Sequence, residues 1–177
     1  MTASSRNQYA VEDEITGHGV FTELLIQGLL GGAADVRGNI TPANLYSFID
    51  QSLGAWEQRP LFKTNISRFI PIRKINPKVP IEVLRKLSYY FQEPDSEFIL
   101  DPSFEFTNNP KYKIEIKLPY ANDENINKFK ELQLYESVGL IEPVGEEHMY
   151  FAAMNSKSCR LTPLGLHYWK LSKNKRF

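Results

Sequence analysis

The strongest constraint on the fold is the run Val20 to Leu30, VFTELLIQGLL, closed by Gly31 and Gly32. Its apolar residues Val20, Phe21, Leu24, Leu25, Ile26, Leu29 and Leu30 cover most of a helical wheel, so the spacing predicts a helix buried on several sides. The glycine pair supplies its stop. Such a helix needs a sheet or further helices to lie against, and the flanking sequence offers both. Upstream, Thr2-Ala3-Ser4-Ser5 has the small, hydroxyl-bearing residues that suit the C-terminal edge of a strand in an open sheet, where a crevice can accept a ligand. A polar loop follows over residues 6–16, with Glu12, Asp13 and Glu14 in a row. Downstream, Thr41 can cap a helix that begins at Pro42 and places Leu45, Phe48, Ile49 and Leu53 on one face.

From Leu61 the apolar period changes to two. Phe62, Thr64, Ile66, Ile70 and Ile72 share one face and Lys63, Asn65, Ser67 and Phe69 the other, which predicts a late strand near a sheet edge, blunted by Lys63 and Arg68. Asp35 and Asn39 lie in a short polar turn, but the alternating oxygen ligands and terminal glutamate of a calcium loop are absent, so no metal is assigned. RKINPKVP, Arg73 to Pro80, has two prolines and no period and reads as a linker, with residues 74–80 dividing a domain over 1–73 from one over 81–177.

In the second half, Pro80 opens a helix with Ile81, Leu84, Leu87 and Phe91 turned inward, and EPDSEFILDPSFEFTNNP reads as an irregular, proline-punctuated segment. KYKIEIKL alternates strictly and suits either a strand or a loop edge. Asn122 or Asp123 caps a helix that runs to Val138 and stops at Gly139. LIEPV, HMYFAAM and CRLT, separated by GEE and NSKS turns, read as two or three short strands, and Thr162-Pro163 caps a last helix, PLGLHYWKLSK. His148, Tyr150, His167 and Trp169 are expected to be aromatic core or strand residues, and the two histidines lack the further partners a metal would need.

Composition narrows the function classes. The chain has 177 residues, 42% of them apolar, enough for one large or two small domains. Lys plus Arg and Asp plus Glu are 21 each, so no overall basic bias argues for nucleic acid. A single cysteine, Cys159, excludes an internal disulfide framework and suits a reducing cytoplasm. No apolar run approaches the roughly 20 residues that span a bilayer, and TASSRNQ lacks the apolar core of a signal peptide. The expected location is therefore the cytoplasm, away from membranes.

The strand and loop "ASS…Q.A.E" leading into a "GHG.FT..L..GL" helix resemble the segment after the nucleophile in bacterial, metacaspase-related caspase-like cysteine peptidases of the peptidase C14 type. The likeness continues through GGAADVRGNITPANLYSFI and QRPLFKTNISRFIPI, covering Thr2 to Ile72. It implies an α/β fold with a partial caspase-like sheet and flanking helices. The family's base histidine, in an S-G-H-G turn, and its nucleophile, in a D-x-C-x-S-G turn, both precede the matched region, and neither motif occurs in this chain. His18 sits in a G-H-G preceded by VEDEIT, and Cys159 has no S-G after it, so no catalytic residue is assigned. The resemblance places Ser4, Ser5 and Gln8 where the family's strand lines the substrate cleft, and Glu12 near the P1 pocket, where an acid favours Arg or Lys. It also allows a homodimer through the 60–72 strand and implies no cofactor. On this alignment Met1 falls inside a central strand, which makes a fragment or subunit the expected state.

Helix, strand, hairpin and helix in the final 56 residues resemble a small α+β winged-helix domain, and CRLTPLGLHYWKL is similar to the "LT..G….L" junction that ends many of them. The ending EEHMYFAAMNSKSCRLTPLGLHYWKL also resembles one found in bacterial effector proteins, after unrelated domains. From Lys157 to Phe177 there are six Lys or Arg residues and no acid, yet the helix that would enter a DNA groove, ENINKFKELQLYESVG, carries more acids than bases. Protein docking therefore ranks above DNA binding. Two function classes follow. The first is the C-terminal portion of a caspase-like endopeptidase, inactive alone, which lends cleft walls and an interaction domain to an upstream segment or subunit carrying His and Cys. The second is a non-catalytic winged-helix adaptor or DNA-binding protein with a degenerate caspase-like half.

Overall fold

The computed structural model describes residues 1–3, 19–53, 60–65, 67–112 and 116–177. The described residues form a mixed α/β architecture, with helices and two small antiparallel sheets. The chain divides into two compact units, Met1–Lys78 and Val79–Phe177, and the division falls inside the stretch 74–80. Among the described residues no helix is long and apolar enough to cross a membrane.

In the first unit, α1 (Val20–Gln27) runs on into a π-turn (Gly28–Gly32) in which Gly31 adopts φ 137°. α2 (Pro42–Leu53) starts with a reciprocal cap. Asn44 N–H donates to Thr41 Oγ1 at 3.3 Å, and Thr41 N–H donates to Asn44 Oδ1 at 2.6 Å. In the connection between them, Asp35 Oδ1 accepts from the N–H groups of Arg37 (2.9 Å) and Asn39 (2.8 Å). That carboxylate closes a turn, the usual work of an aspartate at such a position. The turn delivers β1 (Asn39–Ile40) to its antiparallel partner β2 (Arg73–Lys74).

Ala33, Ile40, Leu45, Ile49 and Leu53 form the core of this unit, and Val20, Phe21, Leu24, Leu25 and Leu29 pack against it. The expected burial of α1 on several sides is not found. None of its residues is fully buried, and Ile26 and Leu30 are 45% and 60% exposed. One partner helix covers one stripe of α1 and leaves the opposite stripe bare.

The predicted strand over 61–72 is not found either. Among its described residues only Leu61 is bridged, to Thr2, through N–H···O bonds of 3.0 Å in both directions. Phe62 and Phe69, assigned to opposite faces by the alternation, stack on each other at 6.1 Å, and Phe62 stacks on Tyr46 of α2 at 5.2 Å. Ile70 and Ile72 are 72% and 56% exposed. Aromatic stacking onto a helix decides this segment, because among the described residues no long neighbouring strand rewards the period of two. Among the described residues of 60–72 no ladder extends beyond the Leu61–Thr2 bridge. Ile66 lies outside the described residues.

The second unit opens with α3 (Ile81–Arg85) and α4 (Leu87–Tyr90), two short helices meeting at Lys86, and Leu84, Leu87 and Phe91 are fully sealed as the spacing requires. The segment expected to be irregular holds a strand, β3 (Glu97–Ile99), and a 3-10 turn (Pro102–Phe104) capped by Asp101. Three residues between proline-rich turns are too few to show alternation. α5 (Asp123–Ser137) is capped by Asn122, whose Oδ1 accepts from Asn125 N–H at 2.9 Å, and Gly139 follows at φ 71°. Phe129, Leu132 and Tyr135 form its buried stripe. Of KYKIEIKL, residues 113–115 lie outside the described residues and the remainder carries no strand.

β4 (Ile141–Val144) and β5 (Ser158–Leu161) complete a three-stranded sheet in the order β3-β5-β4, antiparallel throughout. Cys159 on the central strand faces Phe98 on one side and Pro143 on the other. HMYFAAM, expected as a strand, is instead α6 (Met149–Met154). Met149, Ala152 and Ala153, spaced i, i+3 and i+4, are sealed while Tyr150 and Phe151 face out, so the helical period wins in a short apolar run that fits both. α7 (Pro163–Lys173) begins where Thr162 Oγ1 accepts from Gly165 N–H at 3.0 Å. Of the four aromatic residues expected in core or strand positions, only Trp169 is buried, its Nε1–H donating to Phe91 O at 2.6 Å. His148, Tyr150 and His167 are exposed, carried outward by helix periods.

Candidate functional site

Ser4, Ser5, Gln8 and Glu12, assigned to a substrate cleft by resemblance, lie outside the described residues, as does His18. What can be built from geometry is therefore in the second unit, beginning with its thiol. Cys159 sits in the middle strand with no exposed surface. Burial, with lesser contributions from the carboxylates of Glu136 and Glu97, pushes its pKa from 9.0 up to about 12. A nucleophilic cysteine needs the opposite setting, with access and a lowered pKa. Alkylation of the folded protein by iodoacetamide at pH 8 is therefore expected to run at least about a hundredfold slower than in the urea-unfolded chain. Because the folded pKa is the higher one, the unfolded thiol ionises first. The stability contribution is complete below about 9 and is lost as pH rises through about 12.

Among the described residues, no group of three or more His, Cys, Asp or Glu side chains could hold a metal ion. The polar chemistry that is assembled lies on three surfaces. On the first, Glu131 of α5 accepts from Lys86 Nζ (2.6 Å) and Tyr90 OH (2.7 Å). Burial, and then the hydrogen bond to Glu131, push the Tyr90 hydroxyl well above its ordinary range. On the same helix Glu124 pairs with Lys128 at 2.7 Å, which lowers the Glu124 pKa. The exposed residues of α5 include Asp123, Glu124, Asn127, Lys130 and Gln133, a mixed face with no concentration of positive charge.

A second surface is a cleft of about 470 Å³ lined by Arg85, Ser88, Ser172, Lys173, Lys175 and Phe177. Its serines are already used, Ser172 Oγ donating to Arg85 O at 2.7 Å and lying 2.9 Å from Ser88 Oγ. Its cations gather at the C-terminal ends of α3 and α7, where the backbone carbonyls attract them.

The third surface is the connection from β4 to β5, and the helix in it is what the sequence reading missed. Gly145, Glu146, Glu147 and Phe151 line an open cleft of about 530 Å³. Glu136 of α5 hydrogen-bonds the Met149 N–H, and burial raises its pKa while His148 opposes the rise. The signal that could have exposed α6 was Met149, Ala152 and Ala153 at helical spacing. Compared with protein-family models, curated proteins and solved structures, the chain matches none.

Proposed function

We propose that the chain is the C-terminal portion of a cytoplasmic, caspase-like cysteine endopeptidase, catalytically silent by itself, ending in a winged-helix-like domain that docks protein. The observation that carries this reading is the thin cover of the first unit. Among the described residues there, two helices are backed by a two-residue ladder and a single bridge, while Ile26, Leu30, Leu61, Ile70 and Ile72 stand exposed. Those side chains are what a larger sheet would cover. An upstream segment or subunit supplies the base and the thiolate, and Ser4, Ser5, Gln8 and Glu12 line the cleft for a peptide with Arg or Lys at P1. The strand order β3-β5-β4, with α5 leading into β4 and α7 following β5, supports the winged-helix-like part. The mixed face of α5 supports protein over DNA as its partner.

The test is twofold. Sequencing the coding region upstream of the Met1 codon is expected to show an open frame running through S-G-H-G and D-x-C-x-S-G motifs, and the isolated chain is expected to cleave no Arg- or Lys-terminated peptide coumarin. Clear turnover that Cys159→Ala abolishes would sink the reading. An in-frame stop immediately upstream would leave the adaptor reading in its place.

A further inference from the structure

We propose that the helical insertion between β4 and β5 is a docking surface for a basic peptide segment with interspersed apolar side chains, an inference that rests on the protein-docking reading above. α6 is anchored by Met149, Ala152, Ala153 and Met154, and it turns His148, Tyr150 and Phe151 to the outside. The three rings pack on one another, Phe151 lying 5.2 Å from Tyr150 and 6.2 Å from His148 between centroids. Phe151 is 45% exposed and forms one wall of the 530 Å³ cleft. The charged residues lining the rest of that cleft are two carboxylates, Glu146 and Glu147, with no cation among the lining residues.

Two carboxylates on a turn would by themselves be a solvated surface. The packed rings beside them change the chemistry on offer. An arginine guanidinium can lie over an aromatic face while donating to a carboxylate, and an apolar neighbour can cover the remaining ring area. Glu146 is already positioned for this, since its Oε1 accepts from Asn155 Nδ2 at 2.9 Å and Asn155 Oδ1 accepts from Lys117 Nζ at 2.9 Å. Lys157, whose aliphatic stem lies beside Gly145, borders the cleft without being one of its lining residues. The charge of the cleft selects a cationic partner and repels a phosphate backbone.

The experiment is fluorescence anisotropy with the full chain and a fluorescein-labelled 12-residue peptide of alternating Arg and Leu. Alternating Arg-Ser and Glu-Leu peptides serve as comparisons. Saturable binding of the Arg-Leu peptide is expected, weakened about tenfold or more by Phe151→Ala and, independently, by Glu147→Lys. Both positions are exposed, and circular dichroism checks that each variant folds. Equal binding of the Arg-Ser peptide, insensitivity to Phe151→Ala, or no binding at all overturns the surface. Steeply salt-dependent binding of a 20-base-pair duplex overturns the protein-docking reading itself, whereas loss of peptide binding without duplex binding overturns this inference alone.

Discussion

Gly165→Ala is expected to be the most damaging single-methyl change in the second unit. A Cβ at this position would stand 1.7 Å from the Leu140 carbonyl oxygen and 2.8 Å from its carbon. These are backbone atoms, so no rotamer change relieves the clash. Leu140 cannot withdraw either. It is fully buried, its carbonyl accepts from Thr162 N–H at 3.0 Å, and it leads directly into β4. Relief would require moving α7 off the β4–β5 pair, which places the cost at about 3 kcal/mol or more. Helix propensity works in the other direction, since alanine is favoured over glycine by about 1 kcal/mol inside a helix. A fall in the urea midpoint therefore reads the close approach, and unchanged or raised stability would show that the junction is loose. Gly139→Ala makes the contrast, because nothing lies within 4 Å of the added methyl and only the φ of 71° opposes it. Its cost should be about 1–2 kcal/mol.

The same junction shows what a sequence can disclose. The LT..G pattern, Leu161 to Gly165, is legible because each residue does local work: Thr162 caps the helix, Pro163 fits its first position, and Gly165 permits the approach. The caps at Thr41 and Asn122 and the stop at Gly139 are legible for the same reason. Features decided by distant partners were not. The alternation from Leu61 is genuine in the sequence, yet a period of two becomes a strand only if another strand lies alongside, and Tyr46 offers Phe62 a ring instead. β3 escaped notice because its pairing with β5 crosses some sixty residues of chain, and its three residues carry no pattern of their own. The site assigned by resemblance falls on residues 4–12, outside the described residues, whereas the α6 surface depends on a helix that a strand reading of HMYFAAM concealed. Burial of Cys159 was likewise invisible locally, since its position in the middle strand is a property of the assembled sheet.

Asn108→Ala is expected to loosen the whole segment from the 3-10 turn to α5. Asn108 is 1% exposed, and its amide is the hub of that segment. Nδ2 donates to the carbonyls of Pro102 (2.9 Å), Lys117 (2.8 Å) and Pro119 (2.9 Å), and Oδ1 accepts from Lys117 N–H at 2.8 Å. One side chain thus closes a loop whose outer residues Phe106, Tyr112, Leu118 and Tyr120 are exposed. Alanine would leave three carbonyls and an N–H without this partner, at a cost of about 3 kcal/mol. Hydrogen exchange should accelerate most at Lys117 and Ala121, while amides of β4 and β5 follow only the global loss. Asn108→Asp separates hydrogen bonding from volume. An ionised carboxylate keeps the acceptor for Lys117 N–H but faces three carbonyl oxygens with no proton to give, whereas the protonated acid restores one donor. That variant should be as unstable as Asn108→Ala at pH 8 and recover part of the loss at pH 4. Equal destabilisation of Asn108→Asp at both pH values would assign the role to shape, and wild-type exchange at Lys117 in Asn108→Ala would remove the hub altogether.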